Sequence, residues 1–309
     1  MIKFNLIGNG VVRVLNVKEY QEAYSIVEEK LKKNKSVVAV VVYGSIIYGD
    51  IWEESDIDFL VITKEQNKAQ SIYSKVNGVP IHINYISKDV FIDSYKSILK
   101  GGTFHKTFFA GRLVYCVDKD IKNIHLSAKF YRDRDRDIRN IEILSNLLTS
   151  IHYTKKYKVV GKIETSYQWS FEILKNYARL LMSMKGHITD KDILSLAVNM
   201  NSEIDELFNF INTNSSVKEK IDRMLYVSEK FIDLNIENIS IPIIEYLKDK
   251  KEPCSIEDIK ANKDFKHIDG DLNLLLEALC AKNIIKQTTR HYTTYGEEYL
   301  IDELVYYVE

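Results

Sequence analysis

The apolar run Val37–Tyr43 stops at the small-residue turn Gly44-Ser45, and ten residues later a second apolar run opens with Asp56-Ile57-Asp58. This pairing constrains the chain more tightly than any other stretch. Each run is too short for a typical helix and far too short to span a bilayer, so both read as strands covered on two faces. Residues i and i+2 of a strand share a face, which makes Asp56 and Asp58 converge beside the turn. Two carboxylates on one face repel each other and stay ionised most easily around a cation. A Gly-Ser turn offers backbone N–H groups and a hydroxyl, which suit a phosphate. The combination predicts a site for Mg²⁺ and a nucleotide.

The remaining bulk properties mainly exclude. A chain of 309 residues predicts two or three domains. With 43 basic and 44 acidic residues, the formal net charge of -1 provides no global field for nucleic acid or membrane. A 45% hydrophobic content with three prolines fits a globular, helix-rich protein. Cys116, Cys254 and Cys280 form no CxxC pair, so neither a zinc site nor a disulfide framework is expected. The N-terminal residues carry no basic segment followed by an apolar run, and the expectation is a cytoplasmic protein with no membrane partner.

Along the chain, residues 1–17 read as a hairpin turning at Gly8-Asn9-Gly10, and 18–34 carry apolar residues at a helical period. Strands follow at 36–43 and 57–62, then a charged helix at 64–76, a strand at 81–86, a helix around 87–100 and a strand at 112–117. Residues 121–235 show helical periodicity, with helices at 163–185, 189–199, 201–213 and 215–234. The sign alternation from Arg132 to Asp137 reads as an exposed face of ion pairs. Beyond it, short helices at 241–249 and 271–282 flank a third that starts at Ser255, with Asp258 at the capping-box spacing. Two wing strands at 283–287 and 291–294 and a last helix after Gly296 complete an order that resembles a winged helix. Residues 240–309 hold 9 Lys and Arg against 14 Asp and Glu, a net of 9 − 14 = −5, so charge disfavours a nucleic-acid partner there. A structural, dimerising or substrate-shaping role is expected instead, and a homodimer stays open.

Gly44-Ser45, ten residues, then Asp56-Ile57-Asp58 resembles the signature of DNA polymerase beta-like nucleotidyltransferases, over about residues 36–117. The layout, with a helical region behind, is similar to kanamycin-type antibiotic nucleotidyltransferases, whose third-strand region residues 81–95 resemble. The resemblance implies an α+β fold: a mixed nucleotidyltransferase-type sheet with flanking helices, then a helical bundle and a small winged-helix domain. Its boundaries would be a catalytic domain at 1–120, a helical bundle at 121–237 and a winged-helix-like domain at 238–309. It implies Mg²⁺-dependent transfer of a nucleoside monophosphate from ATP or another nucleoside triphosphate to a small-molecule hydroxyl, aminoglycoside-like in kind, with release of pyrophosphate. Asp56 and Asp58 would hold two Mg²⁺ ions, and Gly44, Ser45, Tyr48 and Gly49, with Asp50 behind them, would line the nucleotide. A tRNA or protein acceptor, as in toxin–antitoxin enzymes, is an alternative, and so is a non-catalytic nucleotide-sensing regulator. Gly101-Gly102-Thr103-Phe104-His105-Lys106 reads as a helix stop with a loop rather than a phosphate cradle.

The superfamily places a third carboxylate on the next strand, and this chain departs from it. The corresponding residues in 81–86 are His82 and Asn84. Three completions are open: His82 serves as ligand or proton acceptor, an acid from the helical region substitutes, or the site binds nucleotide without turnover. Kanamycin-type enzymes carry a glutamate general base early in a long helix of their second domain. Glu172 sits in a comparable context here, with Glu164 as its rival.

Overall fold

The computed structural model describes residues 17–49, 52, 54–64, 70–97, 108, 111–127, 133–187, 192–266, 268–293 and 299–309. The hairpin expected at 1–17, Asp50 and the Gly101–Lys106 stretch lie outside the described residues, save Val17. The chain forms two compact units, Met1–Ile98 with Gly102–Phe130 and Leu99–Gly101 with Tyr131–Glu309.

The first unit contains α1 (Val17–Lys33), β1 (Val37–Tyr43), α2 (Ser45–Tyr48), β2 (Ile57–Thr63), β3 (Gln70–Val76), β4 (Val79–Ser87), α3 (Lys88–Ser97), β5 (Arg112–Cys116) and α4 (Lys119–Ser127). Its sheet has the order β3-β4-β2-β1-β5 and is mixed: β2 and β4 run parallel, and the other neighbours are antiparallel. Alternation along β2 divides the core. Ile57, Phe59 and Val61 pack with Tyr20, Ala23, Val27 and Leu31 of α1, whereas Leu60 and Ile62 pack with Phe91 of α3 and Ile121 of α4. A register shift between Val37 and Ala39 places both Val38 and Ala39 on the α3 side. Covered on both faces, each β1 valine contributes about 1.5–3 kcal/mol relative to exposure.

Two expectations fail here. The segment read as a charged helix at 64–76 contains β3 from Gln70 onward, an edge strand paired with β4 and exposed over all but Val76. Its hairpin turns at Asn77 and Gly78, both at positive φ (51° and 88°), the conformation a two-residue Asn-Gly loop requires. The segment after Gly296, expected as a helix, ends in β7 (Tyr299–Tyr307), which pairs antiparallel with β6 (Lys286–Thr293). The two short wing strands are thus one strand, β6, with its partner further on.

The second unit contains α5 (Asp133–Val159), α6 (Ile163–Met184), α7 (Ile193–Met200), α8 (Ser202–Ile211), α9 (Val217–Ile239), α10 (Ile241–Lys248), α11 (Ile256–Lys260) and α12 (Leu272–Ala281), followed by the β6–β7 ribbon. Helix α5 is buried over most of Ile138–Ile151. It shares an apolar core with α6, and polar side chains link the two helices within it. Asn176 donates to Ser150 Oγ at 3.1 Å and Ser166 Oγ to the Thr154 carbonyl at 2.8 Å. Leu275, Leu276 and Leu279 of α12 belong to the same core as Ile141 and Leu144 of α5. The Ser255–Asp258 capping box forms as read, and Arg134 and Arg136 make the ion pairs expected of their alternating stretch. Among the described residues, no helix is long and apolar enough to cross a membrane.

Candidate active site

Asp56 immediately precedes β2 and Asp58 is its second residue, so both stand where the buried strand begins. Tyr43, the last residue of β1, is the cross-strand partner of Asp58. His82 of β4 is its partner on the other side, and Tyr73 of β3 is opposite His82. Laterally paired residues share a face, so one row across four strands reads Tyr73, His82, Asp58, Tyr43. The next row on that face contains Ser71 opposite Asn84. Leu60 and Val41 lie on the same face under α3, so the polar rows begin where the apolar cover stops.

Asp56, Asp58 and His82 each offer one ligand atom, and these atoms lie within 4.8 Å of one another. All three side chains are partly buried. His82 Nδ1 lies 2.9 Å from Asp58 Oδ1, and His82 Nε2 lies 2.8 Å from Ser71 Oγ. The Tyr73 ring stacks on the imidazole at 4.2 Å with a 4° tilt. Ser71 Oγ donates to Asn84 Oδ1 at 2.5 Å, and Asn84 Nδ2 donates to Tyr43 Oη at 2.7 Å. Burial raises the Tyr43 hydroxyl pKa above its ordinary value. The Asn84 hydrogen bond opposes that shift, and the Asp58 and Asp56 charges add to it.

Gly44 enters α2 at φ 79° and ψ −156°, a conformation open essentially to glycine. A Cβ there would meet Asp58 Oδ2 at 2.5 Å, so the turn and the carboxylate approach in a way only glycine allows. Ser45 starts α2 and Tyr48 ends it. Gly49 closes it in the left-handed conformation, with its N–H on the Ser45 carbonyl at 3.0 Å. Tyr20 Oη of α1 donates to the Ser55 carbonyl at 2.7 Å and the Trp52 carbonyl at 3.2 Å. The Trp52 N–H reaches Ser55 Oγ at 3.0 Å, so the approach to Asp56 is pinned to the core helix.

The structure therefore sets Asp58 against Gly44 on one side and His82 on the other, with Asp56 in one group with Asp58 and His82. Glu172 belongs to the second unit. It lies on α6 with its side chain 45% exposed and Lys175 Nζ at 3.5 Å, while Glu164 is an exposed residue in the first turn of that helix. Ser71 and Tyr73 were missed by sequence reasoning. The signal that could have found them is Asn77-Gly78, a hairpin turn that would have placed 70–76 opposite 79–85.

Chemically, the site offers two hard carboxylates at the edge of a buried sheet, a donor set suited to a divalent cation. Residues 26–120 match the family model for polymerase beta nucleotidyltransferases. That segment is a nucleotidyltransferase domain of the polymerase beta type. Among solved structures, the chain is similar to a nucleotidyltransferase-like protein from Exiguobacterium sibiricum 255-15. The TM-score is 0.67 at 13% identity, over 93% of this chain and 98% of that one. Identity that low shows a shared fold alone. The comparison with curated proteins returned no match.

Proposed function

We propose that this protein is a Mg²⁺-dependent nucleotidyltransferase that moves a nucleoside monophosphate from ATP or another nucleoside triphosphate to a hydroxyl of a small molecule, releasing pyrophosphate. The observation that carries this reading is the convergence of Asp56 and Asp58 beside the Gly44-Ser45 turn, inside the segment that matches the polymerase beta family. Asp56 and Asp58 would hold the divalent cation, which when bound neutralises phosphate charge in an in-line displacement. The Gly44-Ser45 turn binds phosphate oxygens through N–H groups and the Ser45 hydroxyl, with Tyr48 and Gly49 beside it. We assign the proton-accepting role toward the acceptor hydroxyl to Glu172, whose half-exposed carboxylate has Lys175 Nζ at 3.5 Å. The segment α10 to β7 is taken as winged-helix-like, with a structural or substrate-shaping rather than DNA-binding role, because it carries net negative charge.

The test is pyrophosphate release from labelled nucleoside triphosphates with Mg²⁺ and a panel of hydroxyl acceptors, small molecules beside tRNA and protein. Release that disappears in Asp56→Ala and in Asp58→Ala is the expected result. Nucleotide binding with no turnover on any acceptor would replace this reading with a nucleotide sensor.

A further inference from the structure

Five polar side chains form a continuous chain across one face of the sheet: Tyr43, Asn84, Ser71, His82 and Asp58. Its protons can be placed by counting. Ser71 has one hydroxyl proton and two close neighbours, His82 Nε2 at 2.8 Å and Asn84 Oδ1 at 2.5 Å. If Ser71 gives its proton to Asn84, the contact with His82 requires an N–H on Nε2. With Asp58 ionised to hold a cation, a bare Nδ1 lone pair 2.9 Å from its Oδ1 would be repelled, so Nδ1 carries a proton as well. If the Asn84 amide is turned over, its NH₂ faces Ser71 and its oxygen accepts from Tyr43. Ser71 then gives its proton to Nε2, and the neutral imidazole carries its proton on Nδ1. Both arrangements aim an N–H at Asp58, and in both Ser71 occupies the other ring nitrogen. The stacked Tyr73 ring fixes the imidazole plane.

We infer that His82 is a positioning residue, not a metal ligand: its Nδ1–H holds Asp58 Oδ1 while Ser71, Asn84 and Tyr43 hold His82. The carboxylate is then clamped from two sides, with Oδ1 on His82 and Oδ2 against Gly44. The imidazole occupies the strand position opposite Asp58 as a donor that orients a single acid. Ser71 and Asn84 thereby join the machinery of the site, one shell out. The functional meaning rests on Asp58 as a cation ligand, as proposed above, whereas the proton assignment needs only its ionised carboxylate.

The decisive readout is taken on the metal-free protein. Long-range proton–nitrogen NMR on isotope-labelled histidine distinguishes a protonated Nδ1 from a bare one. The His82 signal is the one absent from His82→Asn, or displaced in Ser71→Ala, a change on an exposed edge strand. A protonated Nδ1 at neutral pH is expected, and a bare Nδ1 overturns the inference. With Mn²⁺ and a non-hydrolysable nucleotide as probe, pulsed EPR should show no directly bonded histidine nitrogen; a direct coupling lost in His82→Asn overturns it too. Ser71→Ala should lower kcat by about 10- to 100-fold with KM for the nucleotide changed less than about threefold, the signature of a slightly misplaced group. Absence of transfer by the unmodified protein would sink the proposed function while leaving the NMR result to decide the role of His82.

Discussion

Replacing Gly44 by alanine should damage both the fold and the site, in amounts the geometry sets. At φ 79° and ψ −156° a side chain costs about 1–3 kcal/mol of backbone strain. The new Cβ would stand 2.5 Å from Asp58 Oδ2, where ordinary contact begins at 3.4 Å, so about 0.9 Å of movement is required. Asp58 cannot yield freely, because Oδ1 is tied to His82 at 2.9 Å. Breaking that tie forfeits a hydrogen bond to a charged group, about 1.5–3 kcal/mol. The total is about 2.5–6 kcal/mol, a large share of the roughly 5–15 kcal/mol that holds a domain folded. Gly49→Ala is the control. Gly49 also has positive φ, 83°, but no atom lies within 4 Å of a Cβ there, so only about 1–2 kcal/mol of left-handed strain applies. The gain from a stiffer unfolded chain, about 0.4–1 kcal/mol, is common to both substitutions and cancels in the difference. Urea unfolding with Mn²⁺ binding on both variants checks this. Gly44→Ala should lose about 0.5–5 kcal/mol more than Gly49→Ala and should bind Mn²⁺ worse. Equal losses with unaltered Mn²⁺ binding would refute the close approach of Gly44 to Asp58.

Other expectations test the remaining assignments. Glu172→Gln should lower kcat by about 10²–10⁴-fold with nucleotide affinity retained, the size of a lost general base; the same loss in Glu164→Gln with Glu172→Gln unimpaired moves the role to Glu164. Burial, aided by Glu28, pushes the Tyr24 hydroxyl up to about 12 from 10.0, so the folded state keeps its proton longer than the unfolded one. The resulting stability is present below pH 10.0 and is lost as pH rises toward about 12; Tyr24→Phe should flatten that alkaline limb in urea titrations. Ser255→Ala removes the cap of α11 and should cost about 0.5–2 kcal/mol. Burial of Asp258 is outweighed by hydrogen bonds from Ser255 and Arg290, which lower its pKa below 3.8. Its stabilising share is therefore present above that pH and lost in acid, and an acid limb identical in Ser255→Ala and the parent would argue against the capping box.

Elements that bury a face were legible, because burial writes a period into the chain. Tyr20, Ala23, Val27 and Leu31 mark α1 at helical spacing, and each is buried. The polar, accessible β3 was not legible: Ser71, Ile72, Tyr73 and Ser74 cover no core, and the strand exists because β4 supplies its hydrogen-bond partners. The terminal strand β7 was misread for a related reason. Its first four residues, Tyr299 to Asp302, are all exposed, and pairing with β6 rather than a buried face defines it.

The same division runs through the site. The sequence alone determined that two acids gather where a buried strand begins, ten residues after a Gly-Ser turn, because strand periodicity and residue spacing are local properties. It also showed that the neighbouring strand offers His82 and Asn84 in place of an acid. Only the tertiary structure decided what His82 does. The parallel pairing of β2 with β4 sets His82 against Asp58, and the edge strand brings Ser71 and Tyr73 to the ring. Those contacts join residues far apart in the chain, and the direction of a shared proton depends on every partner at once.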